Sequence, residues 1–206
     1  MAQFLHIHPE NPQMRLIKDA IEVLQNGGVI VYPTDAGYAL GCQLGDAQAL
    51  ERIRRIKHLD EHHLFTLVCR DLSEIATYAQ VGNTAFRLLK AHTPGAYTFL
   101  LTATREVPRR LLHPKRKTIG VRVPDNAIVK SLLETFAAPI LSTTLQLPDE
   151  EYPFIDPDEI YQRLEKVVDL VIDGGVGKLD FTSIIDMQDD HPQVVREGAG
   201  DVRDFL

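Results

Sequence analysis

Apolar residues follow two different spacings along the chain, one typical of helices and the other typical of buried strands. In 14–24 they recur every three or four residues, whereas 29–32 and 65–69 are short continuous apolar runs. The helical spacing predicts helices over 12–26, 47–57, 71–78, 84–91, 127–136 and 157–165. The continuous runs predict strands over 29–33, 38–42, 65–69, 97–103, 118–123, 140–143, 170–173, 183–186 and 193–196.

Helices and strands alternate along the chain, and this order limits the possible folds. Several neighbouring strands are separated by too few residues for a crossover helix, so the sheet must contain antiparallel as well as parallel pairs. A chain of 206 residues, of which 44% are hydrophobic, can bury one sizeable core. The sequence therefore predicts one α/β domain over 1–206, with a mixed sheet and flanking helices.

Local residue choices predict where some of these elements begin. Asn11, followed by Pro12, has the character of a helix N-cap with proline at the first helical position. Asp46 and Asp156 are predicted to cap the second and the last helix in the same way. The proline-rich and acidic stretch 148–157 has the composition of a linker.

The positions of the two cysteines and the hydropathy of the chain indicate the cellular compartment of the protein. Cys42 and Cys69 both lie in apolar strand-like runs, which is typical of reduced, buried thiols and not of a disulfide framework. The sequence MAQFLHIHPENPQ lacks the features of a targeting signal, and no apolar run approaches the roughly 20 residues that span a bilayer. We therefore predict a cytoplasmic protein that has no membrane segment.

Charge is unevenly distributed, although the formal net charge is −7. Residues 1–148 carry 17 Lys and Arg against 13 Asp and Glu, whereas residues 149–206 carry 5 against 16. The basic residues concentrate between positions 52 and 122. They form either an ordinary solvated surface or a site for phosphates or RNA. The candidate RNA-binding residues are Arg52, Arg55, Arg109, Arg110, Lys115, Arg116 and Lys117.

Hydroxyl groups and single cations follow or interrupt the predicted strands. They occur in the motifs PTDAGY (33–38), TPGAYT (93–98), TIGVRVP (118–124), LSTT (141–144), FTSIID (181–186) and VVREGAG (194–200). If these loops meet at one side of the sheet, they supply neutral hydrogen-bonding groups and anion-binding groups to one site. Arg122 is the most informative of them, because an arginine in an apolar strand needs an anion, either a ligand or a structural aspartate.

The order of these motifs, with IKHLDEHHLFTL at 56–67, resembles the YrdC/YciO family, and in particular its YciO branch. The resemblance implies a twisted sheet with a large concave, basic face. Members of the YrdC branch are threonylcarbamoyl-AMP synthases, which use threonine, bicarbonate and ATP with Mg²⁺ for a modification of tRNA. The resemblance thus implies a nucleotidyltransferase with these partners. The family has also been linked to RNA binding.

The resemblance assigns roles to individual positions. The threonine-binding positions are Thr34, Arg122, Ser142 and Ser183. The nucleotide-binding positions are Lys57, Thr118, Thr144 and Arg196. We expect Lys57 and Arg122 to be the catalytic residues. Cations must stabilise charge on the phosphates while pyrophosphate leaves, and Lys57 and Arg196 are expected to do so together with Mg²⁺. Asp35 is expected to shape its turn.

The chain departs from the family pattern at the phosphate-binding motif. The synthases carry Lys-x-Arg-Pro, a second Lys and Ser-x-Asn, whereas this chain has Leu59, Asp60, His63 and Thr144 at the corresponding places. Losing an arginine clamp removes about 1.5–3 kcal/mol of charge-assisted hydrogen bonding. Whether the nearby histidines replace that charge stays open, and no protein metal site is predicted from them.

The sequence therefore supports two alternative functions. The first is a nucleotide-using enzyme of the threonylcarbamoyl-AMP synthase type, which the retained hydroxyls and Arg122 favour. The alternative is a module that recognises tRNA or double-stranded RNA through a basic concave face, which the basic cluster and the missing phosphate-binding cations favour. The sequence leaves the oligomeric state open.

Overall fold

A ten-stranded mixed sheet forms the centre of the computed structural model, which describes residues 1–189 and 191–206. The strands are β1 (Gln3–His6), β2 (Ile30–Pro33), β3 (Tyr38–Gln43), β4 (Thr66–Val68), β5 (Tyr97–Thr102), β6 (Thr118–Arg122), β7 (Ile140–Thr144), β8 (Leu170–Asp173), β9 (Ser183–Asp186) and β10 (Gln193–Arg196). The helices are α1 (Met14–Gln25), α2 (Ala47–Lys57), α3 (Leu72–Tyr78), α4 (Asn83–His92), α5 (Ala127–Phe136) and α6 (Pro157–Leu164). Two short 3-10 helices cover Arg109–Leu111 and Arg203–Phe205.

Parallel and antiparallel pairs both occur in the sheet, as predicted. The strand order is β1-β8-β2-β3-β7-β4-β6-β5-β9-β10. The pairs β1–β8, β2–β8, β4–β6 and β5–β9 are parallel, while β2–β3, β3–β7, β4–β7, β5–β6 and β9–β10 are antiparallel. The predicted single-domain α/β fold with a mixed sheet and flanking helices is confirmed.

Helices cover one face of the sheet more completely than the other. On one face, buried side chains of α2, α3, α4 and α6 pack with strand residues such as Leu67, Val121 and Leu141 in a single core. On the opposite face, α1 and α5 pack on β2, β3 and β8, and this second core takes in Val68 and Ile140 but no described residue of β5, β6 or β9. Among the described residues, the core formed by α1 and α5 therefore does not extend over β5, β6 and β9.

The uncovered part of this face carries small and hydroxyl-bearing residues. Register pairs Ser142 with Thr66 and Thr66 with Gly120, so the three lie in a row across β7, β4 and β6. Arg122 lies two residues beyond Gly120 and pairs with Val68, which places it on the same face of the sheet. Alternation thus places Leu141, Leu67 and Val121 on one face and the row Ser142, Thr66 and Gly120 on the other.

Some local predictions are wrong. Asn11 does not cap α1, which begins after Gln13, because its backbone N–H bonds to His8 Nδ1 at 3.0 Å in a turn that precedes the helix. The stretch 148–157 is not a linker, since its Pro153 and Phe154 are buried against the domain core. The edge strand β1 was not predicted.

Other local predictions are confirmed. The carboxylate of Asp46 accepts from Ala49 N, and that of Asp156 accepts from Asp158 N, so both act as N-caps. Cys42 and Cys69 are buried and free. Within the part of the chain that the structure describes, no helix is both long and apolar enough to cross a bilayer.

Central strand β4 provides a test of the core. Leu67 is completely buried, and Leu67→Ala should lower the free energy of unfolding by about 3 kcal/mol through lost burial and a residual cavity. Urea denaturation measures this loss. Leu179→Ala is the matched control, since Leu179 is 50% exposed and its truncation should cost less than about 0.5 kcal/mol. Equal losses for the two variants would contradict the packing described here.

Candidate functional site

The turn between β2 and β3 is shaped by Thr34. Its Oγ1 donates to the Gly37 carbonyl at 2.6 Å and accepts from the backbone N–H groups of Ala36 and Gly37 at 3.1 Å each. Gly37 is required at a close approach, because a Cβ there would lie 3.0 Å from the Lys178 carbonyl oxygen. Thr34 is thus the residue that sets this turn, a role that the sequence assigned to Asp35.

Asp35 instead binds Arg122, which comes from β6. Its Oδ1 lies 2.5 Å from Arg122 Nη2, and its Oδ2 accepts from Asp125 N at 2.8 Å. Both side chains of the pair are only 10% exposed. Of the two partners that the sequence left open for Arg122, the structural aspartate is therefore present. The pair joins the β2–β3 turn to the end of β6.

Arg122 nevertheless keeps an unused donor. Its Nε is buried and has no hydrogen-bond partner among the described residues. Because a buried donor without a partner costs about 1–3 kcal/mol, this group favours an acceptor supplied by a ligand or by water. Arg122 also lines a small cavity of about 40 Å³, which we call the hydroxyl cavity.

Hydroxyl groups dominate the lining of the hydroxyl cavity. Its side chains come from the β2–β3 turn, β4, β5, β6, β7 and the segment before β9. Besides Arg122 they include Thr34, Tyr38, Thr66, Thr98, Ser142, Thr143, Thr144, Asp180, Phe181 and Thr182. Gly120 leaves room beside it, since a Cβ there would lie 3.1 Å from Thr66 Oγ1. The structure therefore places four of the predicted site residues, Thr34, Arg122, Ser142 and Thr144, around one cavity.

Two predicted site residues lie elsewhere. Ser183 is fully buried, and its Oγ donates to the Gly200 carbonyl at 2.5 Å and accepts from Gly198 N at 2.9 Å. It therefore holds the 198–200 loop and does not line the cavity. Thr118 is also buried, pairs with Thr102 in the sheet, and lines none of the cavities described here. Neither hydroxyl is placed to contact a ligand in the hydroxyl cavity.

Two threonines that line the hydroxyl cavity, Thr66 and Thr98, were not predicted as binding residues. Thr66 and Thr98 lie inside strands that the sequence presents as apolar runs, and Thr98 Oγ1 lies 2.8 Å from Thr182 Oγ1. No local signal in the sequence distinguishes these two threonines from other strand residues. Only the register of the strands shows that these threonines share a face.

Lys57 ends α2 beside the hydroxyl cavity and forms no ion pair with any described carboxylate. Its Nζ donates to the Thr144 carbonyl at 2.5 Å and to Thr143 Oγ1 at 3.2 Å. Burial lowers the pKa of Lys57 to about 8. A desolvated ammonium whose partners are neutral oxygens favours a bound anion, which restores the lost stabilisation of its charge.

His63 does not replace the missing cation of the phosphate-binding motif. Its Nε2 lies 3.2 Å from Thr143 Oγ1, and its pKa is lowered by burial first and then by the charge of Lys57. His63 is therefore neutral near pH 7. His58 is the left-handed C-cap of α2, and His62 is largely exposed beside Glu61. Within 1–189 and 191–206, no group of three His, Cys, Asp or Glu residues could hold a metal ion.

Arg196 reaches the rim of the hydroxyl cavity. Its Nε and Nη2 donate to the Thr182 carbonyl at 3.0 and 2.8 Å, and its guanidinium lies 5.3 Å from the ring centroid of Phe181. Burial lowers the pKa of Arg196. No described carboxylate pairs with it, so its charge is available beside the segment that carries Thr182.

The predicted RNA-binding residues do not form one basic surface. Arg52 pairs with Asp169, Arg55 with Glu51 and Arg116 with Asp186. Arg52 and Arg55 line a depression with Lys166, whereas Arg109, Arg110 and Lys117 line a separate cavity with Arg54; Lys115 is exposed. The cluster read from the sequence is therefore divided, and three of its charges are compensated by carboxylates.

Comparisons with known sequences point to one family. A family model described as Sua5_yciO_yrdC, "Telomere recombination", matches residues 22–198. The whole chain is 60% identical to the whole of "Uncharacterized protein YciO" of Escherichia coli (strain K12). It is 27% identical to a protein of Methanocaldococcus jannaschii named "Putative threonylcarbamoyl-AMP synthase", with 92% of this chain and 89% of that protein covered.

Solved structures agree with these sequence matches. The crystal structure of E. coli YciO superposes with a TM-score of 0.95 at 60% identity and covers 100% of both chains. The crystal structure of P. abyssi Sua5 complexed with L-threonine superposes with a TM-score of 0.86 at 22% identity, covering 95% of this chain and 57% of that chain. At this lower identity the second match concerns the fold alone.

The contribution of the buried Asp35–Arg122 ion pair to stability can be tested by removing one of its charges. Asp35→Asn removes the negative charge and leaves Arg122 uncompensated, so the free energy of unfolding should fall by about 3 kcal/mol. Asp19→Asn is the matched control, because Asp19 forms an exposed pair with Arg15 at 3.8 Å whose loss should cost less than about 0.5 kcal/mol. Chemical denaturation of both variants measures the difference. A loss no larger than the control's would show that Asp35 does not stabilise Arg122.

Proposed function

Because the chain belongs to the Sua5/YciO/YrdC family, as the match over residues 22–198 shows, we propose that it is a synthase of the threonylcarbamoyl-AMP type. Its substrates are threonine, bicarbonate and ATP. The observation that carries the proposal is that a hydroxyl-lined cavity containing Arg122 lies beside Lys57. Among the described residues, no carboxylate forms an ion pair with this ammonium. An amino acid and a phosphate chain require these two environments side by side.

The hydroxyl cavity suits the polar end of a small amino acid. The unpartnered Nε of Arg122 is a donor for its carboxylate, and the hydroxyls of Thr66, Thr98 and Thr182 can donate to or accept from its side-chain hydroxyl. A hydrogen-bonding site of this kind rejects analogues that lack the hydroxyl, because its own polar groups are then left unpaired. Threonine fits this chemistry better than valine does.

The reaction requires positioning more than a nucleophilic side chain. The threonine amine attacks the carbon of bicarbonate and water leaves, which forms a carbamate. A carbamate oxygen then attacks the α-phosphorus of ATP, and pyrophosphate leaves with the electrons of the broken P–O bond. Lys57 and Arg196 stabilise the phosphate charge during this step, and Arg122 holds the amino acid in place.

Mg²⁺ accompanies ATP in this proposal. Asp180 is the one carboxylate that lines the hydroxyl cavity among the described residues, and Asp35 is already used by Arg122. This donor set does not fit an all-protein metal site. It does fit an ion bound mainly through substrate phosphates and water, which is the usual state of Mg²⁺ with nucleotides. The ion then adds positive charge to the phosphates that Lys57 contacts.

A tRNA or double-stranded RNA module is not supported. Its binding surface would need a continuous set of uncompensated cations, because affinity for a phosphate backbone depends on charges released from counterions. Arg52, Arg55 and Arg116 instead pair with carboxylates of the chain itself. The arrangement of charge therefore favours a small anionic substrate.

Pyrophosphate release tests the synthase proposal. Purified protein with ATP, bicarbonate and Mg²⁺ should release pyrophosphate only when threonine is present. Lys57→Met should reduce the rate at least tenfold, since one charge-assisted hydrogen bond contributes about 1.5–3 kcal/mol. Thr66→Val should raise the KM for threonine several-fold without changing the KM for ATP.

The control for these variants is Thr77→Val, which changes an exposed threonine on α3. Its rate and both KM values should match those of the unmodified protein. ATP binding without threonine-dependent release would contradict threonine as the substrate. Absence of both release and ATP binding would contradict the enzyme altogether.

The pKa of Lys57 predicts how nucleotide binding depends on pH. The ammonium form binds phosphate, and its pKa is about 8 in the free protein, so ATP affinity should fall as pH rises through 8. Calorimetric titration at several pH values measures this decline. Lys57→Arg keeps the charge and should remove the step near pH 8, whereas an unchanged step in that variant would assign it to another group.

A further inference from the structure

A second cavity, of about 450 Å³, lies next to the hydroxyl cavity and contains four cationic side chains. They are Arg54 of α2, Arg109 and Arg110 of the first 3-10 helix, and Lys117, which precedes β6. We call this the basic cavity. Its polar lining is completed by Glu61, His62 and His63.

None of these four cations forms an ion pair within 1–189 and 191–206. Arg54 Nη2 donates to the Glu61 carbonyl at 3.3 Å, and Arg110 Nη2 donates to the Gly45 carbonyl at 3.1 Å. The Nε of Arg54 is buried and has no partner among the described residues. Neutral carbonyl oxygens leave the positive charge uncompensated, in contrast to the carboxylate that neutralises Arg52.

The backbone conformation at Lys117 is unusual for a residue other than glycine. Lys117 has a φ of 56°, in the left-handed region that disfavours residues with a side chain. A hydrogen bond from Lys117 N to the His113 carbonyl at 2.9 Å holds it there. His113 Nδ1 in turn accepts from Arg116 N at 3.0 Å. A loop closed on itself in this manner fixes the position of Lys117 at the cavity wall.

The size and charge of the basic cavity define its ligand. One phosphate needs one or two cations, so four cations match a chain of several linked phosphates. A volume of about 450 Å³ lies in the range of small-molecule sites, which are about 300–1,000 Å³. Leu64, Leu111 and Leu112 supply apolar parts of the cavity wall. A polyphosphate chain therefore fits better than a single anion does.

His63 connects the basic cavity to the site of the reaction. It lines the basic cavity, and its Nε2 lies 3.2 Å from Thr143 Oγ1. The same hydroxyl accepts from Lys57 at 3.2 Å, and Thr143 lines the hydroxyl cavity. A phosphate chain that begins at Lys57 therefore reaches the basic cavity by passing the neutral ring of His63.

We propose that the basic cavity binds the β- and γ-phosphates of the nucleotide substrate through Arg54, Arg109, Arg110 and Lys117. This inference rests on the proposed function and goes beyond it by naming the cations that act where the phosphate-binding motif has Leu59 and His63. The phosphate charge is thus met from α2 and from the 109–117 segment.

Calorimetric titration of the full-length protein with tripolyphosphate, pyrophosphate and inorganic phosphate tests the proposal. Tripolyphosphate should bind at least tenfold more tightly than phosphate. The double variant Arg109→Gln/Lys117→Gln should weaken tripolyphosphate binding at least tenfold and raise the KM for ATP. The control is the double variant Lys18→Gln/Arg87→Gln, which removes the same charge from exposed positions on α1 and α4. It should change the tripolyphosphate affinity and the KM for ATP less than twofold.

The outcomes separate this inference from the proposed function. If Arg109→Gln/Lys117→Gln keeps full tripolyphosphate affinity and an unchanged KM for ATP, the basic cavity does not bind the phosphates, although the synthase proposal stands. If the unmodified protein binds tripolyphosphate through these residues but releases no pyrophosphate, the synthase proposal fails and the anion site stands. If Arg109→Gln/Lys117→Gln loses binding to duplex RNA but keeps its affinity for tripolyphosphate, the proposal is wrong and the basic cavity binds RNA. Circular dichroism and unfolding curves establish that both double variants are folded.

Discussion

The ion pair between Asp35 and Arg122 is the interaction on which the rest of the site depends. It links the β2–β3 turn to β6, which is separated from β3 by β7 and β4 in the sheet order, and Asp35 also fixes the backbone at Asp125. Burying two charges is costly, and their mutual attraction offsets that cost only while both partners are present. The pair therefore couples the geometry of the turn to the position of the arginine that lines the hydroxyl cavity.

Apart from the Asp35–Arg122 pair, the cations beside the two cavities have different partners from several arginines elsewhere in the protein. Away from the two cavities, arginines such as Arg52 and Arg163 meet carboxylates of the chain. Beside the cavities, Lys57, Arg54 and Arg110 meet only neutral oxygens among the described residues. Of these, Lys57 and Arg54 are partly buried, so desolvation of their charge destabilises the free protein slightly. Binding of an anion recovers this energy, so the arrangement exchanges stability of the free state for affinity.

Much of the fold could be predicted from the sequence, because its strands and helices have clear apolar periods and strong caps, as at Asp46 and Asp156. The short edge strand β1 could not, since its residues are only half-buried and carry a weak pattern. Residues of the site were predictable from the sequence only where they belong to a recognisable motif. The partnership of Asp35 with Arg122 joins residues 87 apart, and the shared face of Thr66 and Thr98 depends on strand register. Neither the ion pair nor the shared face of the two threonines produces a local pattern in the sequence.

Loss of the arginine at position 59 need not mean loss of nucleotide chemistry. A phosphate chain responds to the total field of the cations around it, and that field does not depend on which segment supplies each charge. Leu59 packs against the core, and His63 is held neutral by burial and by Lys57. Arg54 lies within one helical turn of Lys57 and carries a buried Nε without a described partner. The charge missing from the motif is therefore present nearby on the same helix, and the spacing of a motif alone would not reveal it.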